Sequence, residues 1–305
     1  MKKAESVLLD LCREKKLSFE EYEWKEKALL SEMTSFHTGG ETSVFYPLTE
    51  NAAATAYPAF LKNGIPVFIL GGGTNVIARD EGYEGVIFSA SRLKEIAVSG
   101  ASVTAAAGVP VTSLALAAQK NSLAGAEFLY GIPGTVGGAV FMNAGAYGGE
   151  TKDILFSVKA VSPEGEIREF SAEECDLSYR HSAFSENRYF LLSAVFSLQP
   201  GEKGLIREKM DDLMRRRKEK QPLEYPSAGS TFKRCEGRFT AQVIDQLGLK
   251  GLRVGGAMVS EKHAGFVINY DNAASADIFA VIDRVKKIVW EKEKLPIECE
   301  IRVIE

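Results

Sequence analysis

Apolar positions along this chain fall into short runs separated by glycine and proline, and the spacing changes from helical to alternating several times. Residues 5–16 read as an amphipathic helix. A second helix is predicted around 52–62, begun or interrupted by Pro58, and leads into a strand at 66–70. Strands follow at 85–89, 95–98 and 102–106, then an Ala/Leu-rich helix at 110–119 with Pro110 in its first turn. Strands at 154–161 and 167–170 flank Ser162-Pro163-Glu164-Gly165, a hairpin signal, and another strand covers 189–198. Pro200-Gly201 breaks the chain before a charged helix at 204–219 and a Pro/Gly/Ser loop at 221–229. Ser275 is placed to cap a helix whose apolar residues Ile278, Val281, Ile282, Val285, Ile288 and Val289 keep helical spacing, and 297–304 closes as a strand. The pattern predicts an α+β protein.

Length and composition narrow this further. At 305 residues the chain suits about two domains, and the break near 201 divides it into 1–200, with lobes at about 1–97 and 98–200, and 201–305. Apolar residues are 45% and charged residues 26%, the usual globular mix. A net charge of −4 argues against nucleic acid or an anionic membrane as partner. Two lysines open the chain as in a signal peptide, but Asp10, Arg13 and Glu14 cut the apolar run, and no stretch approaches the ~20 apolar residues of a membrane span. The four cysteines, Cys12, Cys175, Cys235 and Cys299, show no paired spacing for zinc or a dithiol centre. A cytoplasmic protein, without metal and monomeric, is the expectation.

Two glycine-rich segments carry the candidate chemistry. Gly71-Gly72-Gly73-Thr74-Asn75 follows a predicted strand, where absent Cβ atoms let backbone N–H groups approach a phosphate. Neither G-x-G-x-x-G before a helix nor GxxxxGK[ST] is present, so Rossmann and P-loop mechanics are not available. Residues 131–149 hold seven glycines in nineteen positions, too many for a simple helix or strand. Two such loops suit the two ends of a dinucleotide, with Thr74, Asn75, Thr135 and Asn143 adding short polar side chains.

Seven segments in order, TSFHTGG (34–40), ILGGGTNVIARDEG (69–82), GAEFLYGIPGTVGGAVFMNAGAYGGE (125–150), SYRHSAF (178–184), SAGSTFKR (227–234), SEKHAGFVIN (260–269) and LPIECEIRVI (295–304), resemble the UDP-N-acetylenolpyruvoylglucosamine reductase (MurB) family. The short connection after Arg180 is similar to the compact subclass. The resemblance implies a vanillyl-alcohol-oxidase-type (PCMH-type) FAD-binding domain of two lobes and a C-terminal α+β substrate-binding domain. It implies that NADPH is co-substrate and that UDP-N-acetylglucosamine enolpyruvate is reduced to UDP-N-acetylmuramate for peptidoglycan. Cofactor contacts would come from Gly71, Gly72, Gly73, Thr74, Asn75, Gly131, Ile132, Pro133, Gly134, Thr135, Gly137, Gly138, Asn143 and Gly145.

Three residues match the family's catalytic positions. Arg180 would grip the substrate carboxylate, Ser230 would deliver a proton, and Glu300 would assist polarisation. Glu298, two residues earlier, is the alternative for that last position. Tyr179, Lys220 and Lys262 match substrate contacts, while the run Arg215-Arg216-Arg217-Lys218 reads either as a diphosphate attractor or as a solvated helix face. His263 is expected beside the flavin, and His37 and His181 are expected to be structural. The match departs from the family at Arg234-Cys235, where Asn-Pro is common, and at His37, where Arg or Lys is frequent. On the glycine loops alone, an oxidase or a catalytically silent nucleotide binder would also fit. The set Tyr179, Arg180, Ser230 and Glu300 argues against both.

Overall fold

Val86–Ser89, a run of β-branched, aliphatic and aromatic residues, is buried at every position in the computed structural model, which describes residues 2–235 and 237–305. It pairs in parallel with Glu41–Pro47 on one side and Val67–Leu70 on the other, and Tyr22–Leu29 completes the sheet. Contacts divide the chain into two units, both discontinuous. One holds the residues up to Glu26, Ser43–Gly72 and Glu84–Arg215; the other holds Lys27–Thr42, Gly73–Tyr83 and Arg216–Glu305.

In the first unit, aromatic rings fill the space behind the parallel sheet. Phe88 stacks on Phe45 at 5.0 Å, meets Phe190 edge-on at 4.7 Å and lies 5.3 Å from Tyr57, all fully or almost fully buried. The helix Glu50–Lys62 supplies Tyr57 and Phe60 to this core, and Thr49 Oγ1 caps it by accepting from Ala52 N at 3.0 Å. The helix runs through Pro58 without a break. The proline leaves the Ala54 carbonyl without its helical donor, and the turn at Gly165 packs there so closely that a Cβ on Gly165 would lie 2.7 Å from that oxygen.

A five-stranded antiparallel sheet, in the order Ile167–Ser171, Leu155–Val161, Phe190–Ser197, Ser102–Ala106 and Ile96–Ser99, belongs to the same unit. The sequence pattern finds all five strands to within a residue or two. Residues 131–149 turn out less irregular than glycine content suggests, since Val136–Phe141 is a short helix and Gly145–Ala146 pairs with Gly149–Glu150. Gly137 stands where a Cβ would be 3.0 Å from Ala107 Cβ, so small residues let this helix settle close to the chain leaving the sheet.

In the second unit, Ser275–Glu293 covers the antiparallel strands Arg253–Val254, Ala257–Val259 and Val267–Asn269, and Ile278, Val281, Ile282, Val285 and Val289 are buried as their spacing predicts. Ser275 is the first helical residue and not the cap. Its N–H and hydroxyl donate to Asp80 Oδ2 at 2.7 and 2.9 Å, while Asp277 accepts from Ala274 N at 3.2 Å. The closing strand is shorter than predicted, Arg302–Ile304, because it pairs in parallel only with Val76–Ala78. At the other end, the first helix spans Lys2–Arg13 rather than 5–16, and the strand Tyr22–Leu29 has no counterpart in the sequence reading.

Phe88→Ala should lower unfolding free energy by about 3–5 kcal/mol, the cost of removing a buried ring and leaving a cavity. Denaturant titration followed by far-UV circular dichroism measures it, and a loss under about 1 kcal/mol would show that the ring cluster is not the core of this unit.

Candidate active site

Backbone meets backbone between the two glycine segments of the first unit. A Cβ on Gly72 would lie 2.9 Å from Gly134 Cα, and one on Gly71 would lie 2.9 Å from Thr135 Oγ1. Real Cβ atoms do not sit that close to backbone, so position 72 demands glycine, while at 71 a Cβ would crowd the Thr135 hydroxyl. The loop is stitched to its surroundings through Val111 N to Gly134 O at 3.1 Å and Val136 N to Val109 O at 2.8 Å. Thr135 Oγ1 is buried with no protein partner, and an unpaired buried hydroxyl costs about 1–3 kcal/mol unless a ligand or water takes its hydrogen bond. A cradle of this kind, with a hydroxyl left to be satisfied, fits the diphosphate and ring edge of FAD. Gly71, Gly72, Gly134, Thr135, Gly137 and Gly138 lie together here; Gly73, Thr74 and Asn75 belong to the second unit.

Asn143 lies deeper, 1% exposed, with its amide bonded to Glu150 Oε2 and Ser178 O, both at 3.0 Å. Arg180, also in the first unit, stands at the tip of a tight turn in which Ser178 and His181 exchange two backbone hydrogen bonds of 3.2 Å. Its φ is 57°, left-handed backbone that costs a non-glycine residue about 1–3 kcal/mol. Such a conformation persists only where surrounding structure holds it. The guanidinium lies 5.3 Å from the centre of the Tyr179 ring; Tyr179 is 40% exposed and Arg180 is half-buried. Glu150 is held below the usual carboxylate range, first by its hydrogen bond with Lys152 and then by Asn143 and the charges of Lys152 and Arg180.

Ser230 and Glu300 belong to the second unit and share one framework there. Thr231 N donates to Gly265 O at 2.8 Å, and Thr231 O accepts from Glu300 N at 2.9 Å. The Thr231 hydroxyl is fully buried and accepts from Val267 N at 2.9 Å, which leaves half-buried Ser230 as the hydroxyl at the surface of this loop. Gly229 before it has φ 75° with open space around the missing Cβ. The two glutamates near the C-terminus are in different settings. Glu298 is 74% exposed and paired with Lys233 at 3.0 Å, whereas Glu300 is half-buried and its carbonyl accepts from Asn75 Nδ2 at 3.3 Å. Between them, burial pushes the Cys299 thiol up, so it stays neutral beside Glu300.

Of the remaining sequence candidates, Lys220 is exposed at the end of the helix Lys203–Lys220. Lys262 donates to Lys218 O at 2.7 Å and pairs with Glu224 at 3.6 Å. His263 packs edge-on against Phe266 at 4.9 Å and accepts from Gly265 N at 3.1 Å, and burial holds its pKa below 6.5. A cleft of about 380 Å³ in the second unit is lined by His37, Tyr225, Pro226 and Asn269 to Ala273, none of them a catalytic candidate. The sequence reading passes over Glu150, Ser178 and Ser182, whose contacts hold the Arg180 turn. Their only signal is position inside two matched motifs.

The glycine cradle and the orphaned threonine fit a flavin nucleotide, and the matches to known families define the class, an FAD-binding flavoprotein oxidoreductase. Residues 42–171 match an FAD binding domain, and residues 221–304 match the UDP-N-acetylenolpyruvoylglucosamine reductase C-terminal domain. The chain belongs to the UDP-N-acetylenolpyruvoylglucosamine reductase family. It is 45% identical over 297 residues to the reductase of that name from Clostridium novyi (strain NT), covering 97% of each chain. The Lactobacillus acidophilus reductase is 43% identical over 281 residues, covering 92% of this chain and 94% of the relative. The crystal structure of the Thermus caldophilus reductase superposes with a TM-score of 0.81 at 31% identity, over 93% of this chain and all of that one.

Gly72→Ala should push the two loops apart and lower the flavin bound per chain while far-UV circular dichroism stays that of a folded protein. The flavin-to-protein absorbance ratio reads this, and undiminished flavin would show that the close approach plays no part in cofactor retention. His263 gives a pH test. Its folded pKa lies below 6.5, so as pH falls through that value the unfolded chain takes up a proton that the folded chain refuses, and stability falls. Between about pH 7.5 and about pH 5.5, the parent should lose more unfolding free energy than His263→Gln. Equal losses would place the titration elsewhere.

Proposed function

We propose that this protein reduces the enolpyruvyl ether of UDP-N-acetylglucosamine enolpyruvate to the lactyl ether of UDP-N-acetylmuramate, with NADPH as the hydride source, in cytoplasmic synthesis of peptidoglycan precursors. The observation that carries the reading is the match to its relatives almost end to end, and Arg180, Ser230 and Glu300 lie in the segments that resemble the family. Gly71, Gly72, Gly134 and Thr135 would hold FAD, which when bound would supply the two-electron chemistry that links NADPH to the enolpyruvyl substrate. Among the described residues, no helix is long and apolar enough to cross a membrane.

Hydride and proton together saturate the carbon–carbon double bond, and negative charge grows on the inner carbon and its carboxylate before the proton arrives. Arg180 answers that charge, since a planar guanidinium can donate two parallel hydrogen bonds to a carboxylate and is always protonated. Glu300 assists polarisation of the same group. Ser230 delivers the proton to the inner carbon, a role in which placement matters more than acidity because an ordinary hydroxyl is a weak acid. Its neighbour Thr231 cannot substitute, with its hydroxyl buried and bonded to Val267 N. Tyr179, Lys220 and Lys262 are the proposed contacts for the remainder of the sugar nucleotide.

Ser230→Ala should keep FAD and its reduction by NADPH, and slow reoxidation by the enolpyruvyl substrate by about 10²- to 10⁴-fold, the range for losing a positioned proton donor. Ser230→Cys should recover part of the rate. Arg180→Lys should likewise spare the first half-reaction and impair the second. Stopped-flow absorbance separates the two steps, and product mass identifies UDP-N-acetylmuramate. An alanine variant that reoxidises at the parent rate removes Ser230 from the mechanism, and NADPH consumption without that product removes the proposed reaction.

A further inference from the structure

Asn143 spends its side chain within the first unit. The amide nitrogen carries two protons, and both are donated, to Glu150 Oε2 and to Ser178 O at 3.0 Å each. The amide oxygen accepts from Lys152 N at 3.0 Å. No amide proton is left for a bound dinucleotide. The residue also has φ 41°, backbone that asparagine tolerates better than most side chains.

What the amide grips is the base of the turn that presents Arg180. Ser178 O accepts from His181 N across the turn and from Asn143 at the same time. On the exit side, the fully buried Ser182 hydroxyl donates to Phe141 O at 2.8 Å. The segment 141–143 therefore holds both ends of a turn whose tip, Arg180, sits in strained left-handed backbone. Glu150 closes the arrangement, since Asn143, Lys152 and the charge of Arg180 all act on its carboxylate.

We infer that Asn143 is a positioning residue for Arg180, fixing the Tyr179–Arg180 tip to the glycine-rich segment through its side-chain amide, with Glu150 holding that amide in place. The inference rests on the reading of Arg180 as the carboxylate clamp. A two-point grip needs the guanidinium plane aligned with the carboxylate, and an ångström of misplacement costs about 10²-fold in rate.

Asn143→Gly keeps left-handed backbone accessible while removing all three side-chain hydrogen bonds, and Asn143→Asp keeps the shape while removing both donors. In FAD-loaded protein, both variants should be reduced by NADPH at the parent rate, retain the parent flavin content, and be reoxidised by UDP-N-acetylglucosamine enolpyruvate about 10²-fold more slowly. Added to Arg180→Lys, Asn143→Gly should cost little more, because the grip it positions is already lost. A parent-like reoxidation rate in both Asn143 variants, with Arg180→Lys slow, overturns the inference and leaves the Arg180 reading standing. Fully additive losses, or FAD lost in step with rate, also overturn it, the latter in favour of a cofactor contact. Arg180→Lys reoxidising at the parent rate overturns the Arg180 reading and this inference with it. Should the glycine variant fail to fold, the aspartate variant carries the same comparison.

Discussion

Where Gly72 passes Gly134, two stretches of backbone lie so close that a single methyl group on the first would sit 2.9 Å from the Cα of the second. Much of the first unit can be understood as support for that approach. Glycine brings no side-chain packing of its own and loses more conformational freedom on folding than any other residue, so the loops need rigid elements at their roots. Val67–Leu70 leads directly into Gly71, and its neighbour Val86–Ser89 is backed by the Phe45, Phe88 and Phe190 cluster. The other loop runs into Val136–Phe141, whose small residues let it lie against the antiparallel sheet. Tight aromatic packing behind, glycine in front, and one buried hydroxyl without a protein partner make up one arrangement, in which stability is concentrated away from the ligand surface.

The catalytic candidates follow a different rule, strain held by hydrogen bonds rather than approach permitted by absent side chains. Arg180 and Asn143 both occupy left-handed backbone, and each is pinned by contacts from the other's segment. Strain of this kind is affordable because the pinning groups, Asn143 and Ser182, are themselves buried and their polar atoms are paired. On the second unit, Ser230 follows a left-handed glycine, and the buried Thr231 beside it bonds to both Gly265 and Glu300 through its backbone. One buried residue thus ties the segment carrying Glu300 to the loop carrying Ser230.

Legibility in the sequence tracked how local the governing forces are. The strands at 67–70, 86–89 and 102–106 and the helix at 275–293 could be read directly, since burial on one face or both leaves an apolar period in the sequence. Tyr22–Leu29 could not. It reads YEWKEKAL, exposes most of its residues and owes its conformation to pairing at the side of a sheet. Nor does any local signal announce that Val76–Ala78 pairs with Arg302–Ile304, more than two hundred residues away, or that Lys27–Thr42 and Gly73–Tyr83 join the C-terminal region in one unit. The glycine loops were found from composition and motif order, but the use made of Asn143 was not, because an asparagine between glycines looks the same whether its amide faces a ligand or a carbonyl.

The two glutamates near the C-terminus show what structure adds to motif. Sequence spacing alone allows a slip between Glu298 and Glu300, and residues two apart on an extended chain share a face, so alternation cannot separate them. Their surroundings can. Glu298 spends its charge on Lys233 in water, where an ion pair contributes little and a substrate would compete with solvent. Glu300 is half-buried, with its N–H bonded to the Thr231 carbonyl and its own carbonyl to Asn75. Pinned on both sides of its Cα, its backbone is held in place, the preorganisation that electrostatic assistance requires. Glu298 is held at the backbone as well, its carbonyl accepting from Lys233 N at 2.9 Å, so what separates the two is burial and the ion pair that already occupies the Glu298 side chain.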